Sequence, residues 1–262
     1  MRWTGLGMHR LVVSLCVSLT LVAIWRADPA WAGEDTLRFA AVAPGIGYAS
    51  FEVYAPEGDP FSGHAFKIDL AEAQLRLVAA SDPSSRQSVQ QITATLPAVV
   101  AVNASFFDND GRAMGLAVGE GGRLGTGRLK NWGALLVNGT DARIVLGASI
   151  PSNPEERLIV QGIPRLVVGG KVPRLKPQLA ERTAVCAAAG QVVIVVASKA
   201  ETTAFARFLA DPSDKGGLGC SDALNLDGGP STQLIVRLPT LTLSLRGGWG
   251  VPNALVATPG RK

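Results

Sequence analysis

Two short stretches put polar, reaction-capable side chains at the ends of apolar strands. The first, residues 101–116 (AVNASFFDNDGRAMGL), runs an apolar strand into Asn103, then Phe106-Phe107, then Asp108-Asn109-Asp110-Gly111. A hairpin needs only the last pair of those turn residues, so Asn103 and Asp108 ask for a further role. The second, residues 225–234 (NLDGGPSTQL), has the same plan, with an Asn at the strand end followed by Asp227 and a tight turn. Glycines after a carboxylate let backbone N–H groups come close to an anion, so Gly228 and Gly229 with the hydroxyls of Ser231 and Thr232 can cradle a phosphate or a sugar. Each stretch alone is also ordinary turn material. A third candidate is Arg182, which precedes the apolar run TAVCAA. An arginine there serves either a structural ion pair or a bidentate anion site.

Other chemistries find little support. The Asp108 loop lacks the acids of a calcium-binding hand, because Phe106 and Ala117 stand where they would be required. No G-x-S-x-G elbow occurs, and a serine hydrolase triad would have to recruit His64. No C-x-x-C pair or histidine cluster points to zinc, so neither a metal nor a cofactor is expected. Basic residues are scattered without an aromatic stripe, which argues against nucleic acid as a partner.

The elements that must position these residues are mostly strands. Period-two alternation runs through residues 48–55, 63–70 and 74–78. A short helix capped by Ser88 precedes Pro97, and an apolar strand leads to Asn103. Residues 113–138 form short strands between glycines. Residues 182–188 and 191–197 form a hairpin of buried strands about Gly190. Thr202 or Thr203 caps a helix through Leu209, and Asp211-Pro212 ends it. Residues 223–226, 233–237 and 241–245 are further strands. The expected fold is α+β, a single strand-rich domain with two or three helices packed on a mixed sheet.

The N-terminus has its own pattern. Arg2 and Arg10 precede the apolar run LVVSLCVSLTLVAI, and Ala30-Trp31-Ala32 is a cleavage signature. Residues 1–32 are therefore expected to be a signal peptide cut after Ala32, leaving residues 33–262 as a periplasmic or secreted domain with no membrane association. Three of the 25 basic and one of the 21 acidic residues fall in that leader, so the remainder carries a net charge of +2. Cys186 and Cys220 remain, and export permits either a disulfide or two buried thiols.

Taken in order, Asn103-Ala104-Ser105-Phe106-Phe107-Asp108, Gly115-Leu116, Pro164-Arg165-Leu166, Arg182-Thr183-Ala184, Asn225 to Thr232 and Val251-Pro252-Asn253 resemble the phosphodiester glycosidase family, over about residues 63–262. Animal members of that family carry a third glycine where Pro230 stands here, and the chain is similar to an exported bacterial relative. The resemblance implies hydrolysis of a sugar-1-phosphodiester, with a glycan phosphodiester from the envelope or a scavenged glycoconjugate as partner. On that basis Asp227 faces the anomeric carbon, and Asn103 and Asp108 orient hydroxyls or serve a second acid–base step. Arg182 and Thr183, with Gly228, Gly229, Ser231 and Thr232, hold the phosphate. Two other readings use the same residues: a periplasmic glycan- or anion-binding module without catalysis, and a scaffold in which the motifs only shape turns.

Overall fold

The computed structural model describes Met1 and residues 37–54, 59–81 and 86–260. The signal peptide expected over residues 1–32 lies, Met1 apart, outside them. In chain order the strands are β1 (Ala40–Ala43), β2 (Ile46–Val53), β3 (Phe61–Asp69), β4 (Ala73–Ala79), β5 (Val99–Asn103), β6 (Ala117–Gly119), β7 (Gly122–Arg123), β8 (Gly133–Asn138) and β9 (Asp141–Leu146). There follow β10 (Leu158–Gly162), β11 (Arg165–Val167), β12 (Leu179–Ala188), β13 (Gln191–Glu201), β14 (Asp222–Asn225), β15 (Leu234–Leu238), β16 (Leu241–Leu245) and β17 (Asn253–Pro259). The α-helices among the described residues are α1 (Val89–Ile92) and α2 (Thr202–Ala210).

The strands form three sheets, ordered β1-β2-β3-β13-β12-β14-β11, β7-β6-β10-β8-β9 and β16-β15-β5-β17-β4. Every strand pair in them is antiparallel. The expected α+β class with a mixed sheet is thus corrected to a β-rich fold of three antiparallel sheets. The physical reason lies in the connections. Asn138-Gly139 and Gly190 close tight hairpins, and Gly139 and Gly190 adopt positive φ of 59° and 75°. The parallel pairing of a mixed sheet would need long crossovers instead. The helices are short, four and nine residues.

Strand alternation divides each buried sheet into two faces. On the seven-stranded sheet, Phe66, Ile68, Ile194, Val196, Val185 and Leu224 join a core shared with Val100, Val102, Leu234 and Leu255 of the third sheet and Leu135 and Val160 of the second. On the opposite face, Ala65, Ala184, Cys186 and Val195 pack with Phe205, Phe208 and Leu209 of α2. Those three helical residues lie at i, i+3 and i+4, one stripe of the helix. Each buried side chain of this size stabilises the fold by about 1.5–3 kcal/mol.

Ser88 caps α1 as expected, its hydroxyl accepting from the Gln91 N–H in a reciprocal capping box. The cap of α2 is Glu201 rather than either threonine; its carboxylate accepts from the Thr203 and Ala204 N–H groups. Cys186 of β12 and Cys220, after α2, form a disulfide with Cα atoms 5.7 Å apart. The bridge ties α2's exit loop to the sheet that α2 covers.

Candidate active site

The site begins with β5, five consecutive buried residues that end on Asn103. A fully buried strand must satisfy its polar terminus internally. The Asn103 amide does this three ways. Its Nδ2 donates to the Asp227 carbonyl at 2.6 Å, and its Oδ1 accepts from Thr183 Oγ1 at 2.8 Å and from the Gln233 N–H at 3.0 Å. One side chain therefore joins β5, β12, the Asp227 turn and the start of β15. Asp227 N–H in turn donates to the Ala104 carbonyl, and Leu226 N–H to the Thr183 carbonyl. The 103–105 and 225–232 corners meet here.

Asp227 sits where the chain leaves β14 and turns toward the third sheet. Its Oδ1 accepts from the Gly228 N–H at 3.0 Å, while its Oδ2 is buried without a partner among the described residues. Burial pushes the carboxyl above its ordinary value, opposed by hydrogen bonds from the Ser231 side chain and the Gly228 N–H. Raised carboxyl groups of this kind are found where a proton must be held or passed near neutral pH. The turn is tight. A Cβ on Gly228 would lie 2.7 Å from the Glu181 carbonyl oxygen, and Gly229 has φ +57°. A short 3₁₀ turn, Gly229–Ser231, then directs Ser231 and Thr232 inward, both nine-tenths or more buried. The Thr232 hydroxyl also lacks a partner among the described residues.

Buried amides brace the surroundings. Asn253 Oδ1 accepts from the Ser105 N–H, and Gln233 Nε2 donates to the Trp249 carbonyl while its Oε1 accepts from the Val89 N–H. Asn225 Nδ2 donates to the Ile163 and Leu226 carbonyls. Trp249 is 55% exposed beside the turn, its N–H donating to the Pro230 carbonyl and its ring set edge-on against Phe107. The residue types of Gln233 and Asn253 gave no sign of this bracing, although both belong to stretches singled out in the sequence.

Two candidates fall elsewhere. Asp108 closes its own loop: its Oδ1 accepts from the Asp110 and Arg112 N–H groups, an Asx turn. Arg182 lies on the α2 face of β12, because its neighbour Thr183 faces Asn103 and strand side chains alternate. Its Nε donates to the Ala200 carbonyl at 3.2 Å, and its Nη2 to Thr202 Oγ1 at 2.7 Å and to the Gln178 carbonyl. The structure thus gathers Asn103, Thr183, Asp227, Gly228, Gly229, Ser231 and Thr232, while the Arg182 guanidinium takes the opposite face of β12 and Asp108 Oδ1 is committed to its own loop. Among the described residues no three His, Cys, Asp or Glu side chains assemble as a metal cage.

Comparison with known proteins places the chain in a family and a fold. The profile of the phosphodiester glycosidase family matches residues 97–258, well over half of the chain and spanning both corners. The fold is similar to the catalytic domain of zebrafish N-acetylglucosamine-1-phosphodiester alpha-N-acetylglucosaminidase, auto-inhibited by its pro-peptide, with TM-score 0.64 and 16% identity over 86% of this chain and 87% of that one. A hypothetical protein from Synechocystis aligns with TM-score 0.55 and 18% identity over 81% of this chain and 62% of its own. A Burkholderia pseudomallei protein aligns with TM-score 0.54 and 13% identity, covering 76% and 74%. No curated protein sequence matches the chain. With its family profile covering the strand ends that meet at Asp227, the chain belongs to the phosphodiester glycosidase family.

Proposed function

We propose that the protein is a hydrolase that cleaves a sugar-1-phosphodiester between the anomeric carbon and oxygen, with Asp227 as the carboxylate at that carbon. The observation that carries this reading is Asp227 itself: a half-buried residue whose carboxyl is raised by burial, with Oδ2 buried and unpartnered among the described residues, in a turn held by Asn103. The family and the glycosidase named in the zebrafish structure support the class of reaction.

The chemistry asks for little proton donation to the leaving group, because a phosphate monoester is already a weak base. The anomeric C–O bond breaks, and its electron pair leaves with the phosphate. Positive charge develops on the sugar ring and is stabilised by the ionised carboxylate. Water supplies the oxygen that returns to the anomeric carbon, and its proton passes to Asp227 and then to solvent. A carboxyl raised toward neutral pH is a better base for that step than an ordinary aspartate. Asn103 and Thr183 position the turn, and the half-exposed Trp249 offers an apolar face to the sugar. An exported location, with the leader cut after Ala32, is supported by the Cys186–Cys220 bridge, since disulfides persist in oxidising compartments. N-terminal sequencing of the protein recovered from cells tests that point.

Hydrolysis of a panel of sugar-1-phosphodiesters in ¹⁸O water tests the reaction. The expected outcome is release of free sugar carrying the label and of unlabelled phosphate monoester. Label in the phosphate would make the protein a phosphodiesterase. Tight binding of the panel without product over long incubation would make it a binding module.

A further inference from the structure

A cleft of about 710 Å³ opens beside the Asp227 turn. Its walls include Glu52, His64, Glu181, Ser198, Thr232 and Arg246. Two of these bind the cleft to the turn. Glu181 is the residue whose carbonyl presses on Gly228, and Thr232 ends the 3₁₀ turn that follows it.

Polar groups in the cleft are unequally committed. The Thr232 hydroxyl is unpartnered among the described residues although Thr232 is only 9% exposed. A buried hydroxyl in that state costs free energy unless something outside the chain bonds to it. Arg246 is the cationic side chain of the lining at neutral pH, since burial lowers the His64 pKa and keeps that ring neutral. Arg246 makes no ion pair among the described residues. Its place is set by the next residue. A Cβ on Gly247 would lie 2.6 Å from the Pro230 carbonyl oxygen and 2.9 Å from that of Thr232, so the chain after β16 is pressed against the turn. Arg182, by contrast, has its guanidinium engaged on the far face of β12.

We propose that this cleft is the phosphate subsite, with Arg246 binding the charge and the Thr232 hydroxyl donating to a phosphate oxygen; this rests on Asp227 being the centre of sugar-1-phosphodiester hydrolysis. Glu52 and Glu181 exclude a polyanion. A phosphodiester carries a single negative charge, and its sugar hydroxyls are donors that two carboxylates and Ser198 accept. The mixed lining fits a monoanionic, hydroxyl-rich ligand better than inorganic phosphate or a nucleic-acid strand.

Two measurements test it. The first compares kcat/KM of Arg246→Gln and Arg246→Lys on a sugar-1-phosphodiester and on a neutral aryl glycoside of the same sugar. A charge-assisted hydrogen bond of about 1.5–3 kcal/mol corresponds to about 10- to 150-fold. Arg246→Gln should therefore lose at least about tenfold more on the diester, mainly through KM, and Arg246→Lys should recover part of it. The second titrates the methyl diesters of glucose 1-phosphate and N-acetylglucosamine 1-phosphate, which carry one negative charge, into Asp227→Asn, with and without Arg246→Gln or Thr232→Val. Each added substitution should weaken binding by about tenfold or more, and inorganic phosphate should bind more weakly than the methyl diesters. If the diester is hydrolysed but Arg246→Gln loses equally on both substrates, the subsite is wrong and hydrolysis stands. If no diester is hydrolysed but the methyl diesters bind through Arg246, the subsite stands and the reaction is wrong. If neither hydrolysis nor binding occurs, both fall.

Discussion

Asp227 is held in place by its neighbours' main chains and by one amide. Asn103 donates to its carbonyl, Ala104 accepts its N–H, and Gly228 donates to Oδ1, which leaves Oδ2 buried and unpartnered among the described residues. That arrangement costs stability when the carboxyl ionises. Burial raises the folded-state pKa above the ordinary aspartate value. Below both pKa values the group is neutral in folded and unfolded chains, and there is no penalty. As pH rises through the window up to the folded pKa, the unfolded chain binds fewer protons and stability falls. Asp227→Asn should therefore unfold at a higher temperature than the wild type at pH 7, with the difference shrinking toward pH 3. An equal difference at both pH values would remove burial of the charge as the cause. Arg182 makes the opposite case. Its three oxygen partners brace β12 against α2, and Arg182→Gln should cost roughly 2–4 kcal/mol of stability, read by denaturant titration. It should not change the ratio of diester to aryl-glycoside turnover beyond about twofold.

At the scale of elements, the site is a meeting of strand ends. β5, β12, β14 and β15 belong to two different sheets, and Asn103 bonds across the junction between them. The close approach of Gly228 to the Glu181 carbonyl sets the path of the turn. Gly228→Ala should push the turn away from β12 and lower kcat by at least about tenfold, at a stability cost of about 1–3 kcal/mol for the overpacked Cβ. Unchanged kcat would show that the turn's path is immaterial. This junction was partly legible in the sequence. Asn103 and Asp227 showed themselves as polar residues that close apolar strands, and Ser88 showed itself as a cap. Arg182 did not, because residue type says nothing about which face of a strand a side chain takes. Here that face follows from the pairing register, which shifts by a bulge between Ala180 and Arg182. Asp108 carries the same polar signal as Asp227 and spends it on its own loop. The lining by Glu181 and Arg246 depends on sheets closing over one another, a long-range outcome that local pattern does not contain.

Across the whole molecule, one core draws on all three sheets, and a second lies between the seven-stranded sheet and α2. Strand alternation announced most of the strands but not their division into sheets; α1 packs on the third sheet, and α2 adds a cover on the seven-stranded sheet rather than a layer of its own. The disulfide secures that cover. It closes a loop with a sequence separation of 34 residues, for which chain entropy gives a stabilisation of about 4 kcal/mol. Replacing Cys186 and Cys220 together by Ala should lower the unfolding free energy by about that amount, measured by denaturant titration. Since the bridge lies on the α2 face, away from the Asn103–Thr183 contact, kcat of the folded variant should stay within about threefold of the wild type. A large loss of kcat without loss of stability would contradict this separation of scaffold from site.

The most direct test of the whole account is single-turnover hydrolysis of a sugar-1-phosphodiester by Asp227→Asn, with folding verified by circular dichroism. The expected result is a rate at least about 10³-fold below the wild type, the scale of losing about 4 kcal/mol of transition-state stabilisation. A folded Asp227→Asn protein that hydrolyses the diester at near the wild-type rate would contradict the central role given to this carboxyl.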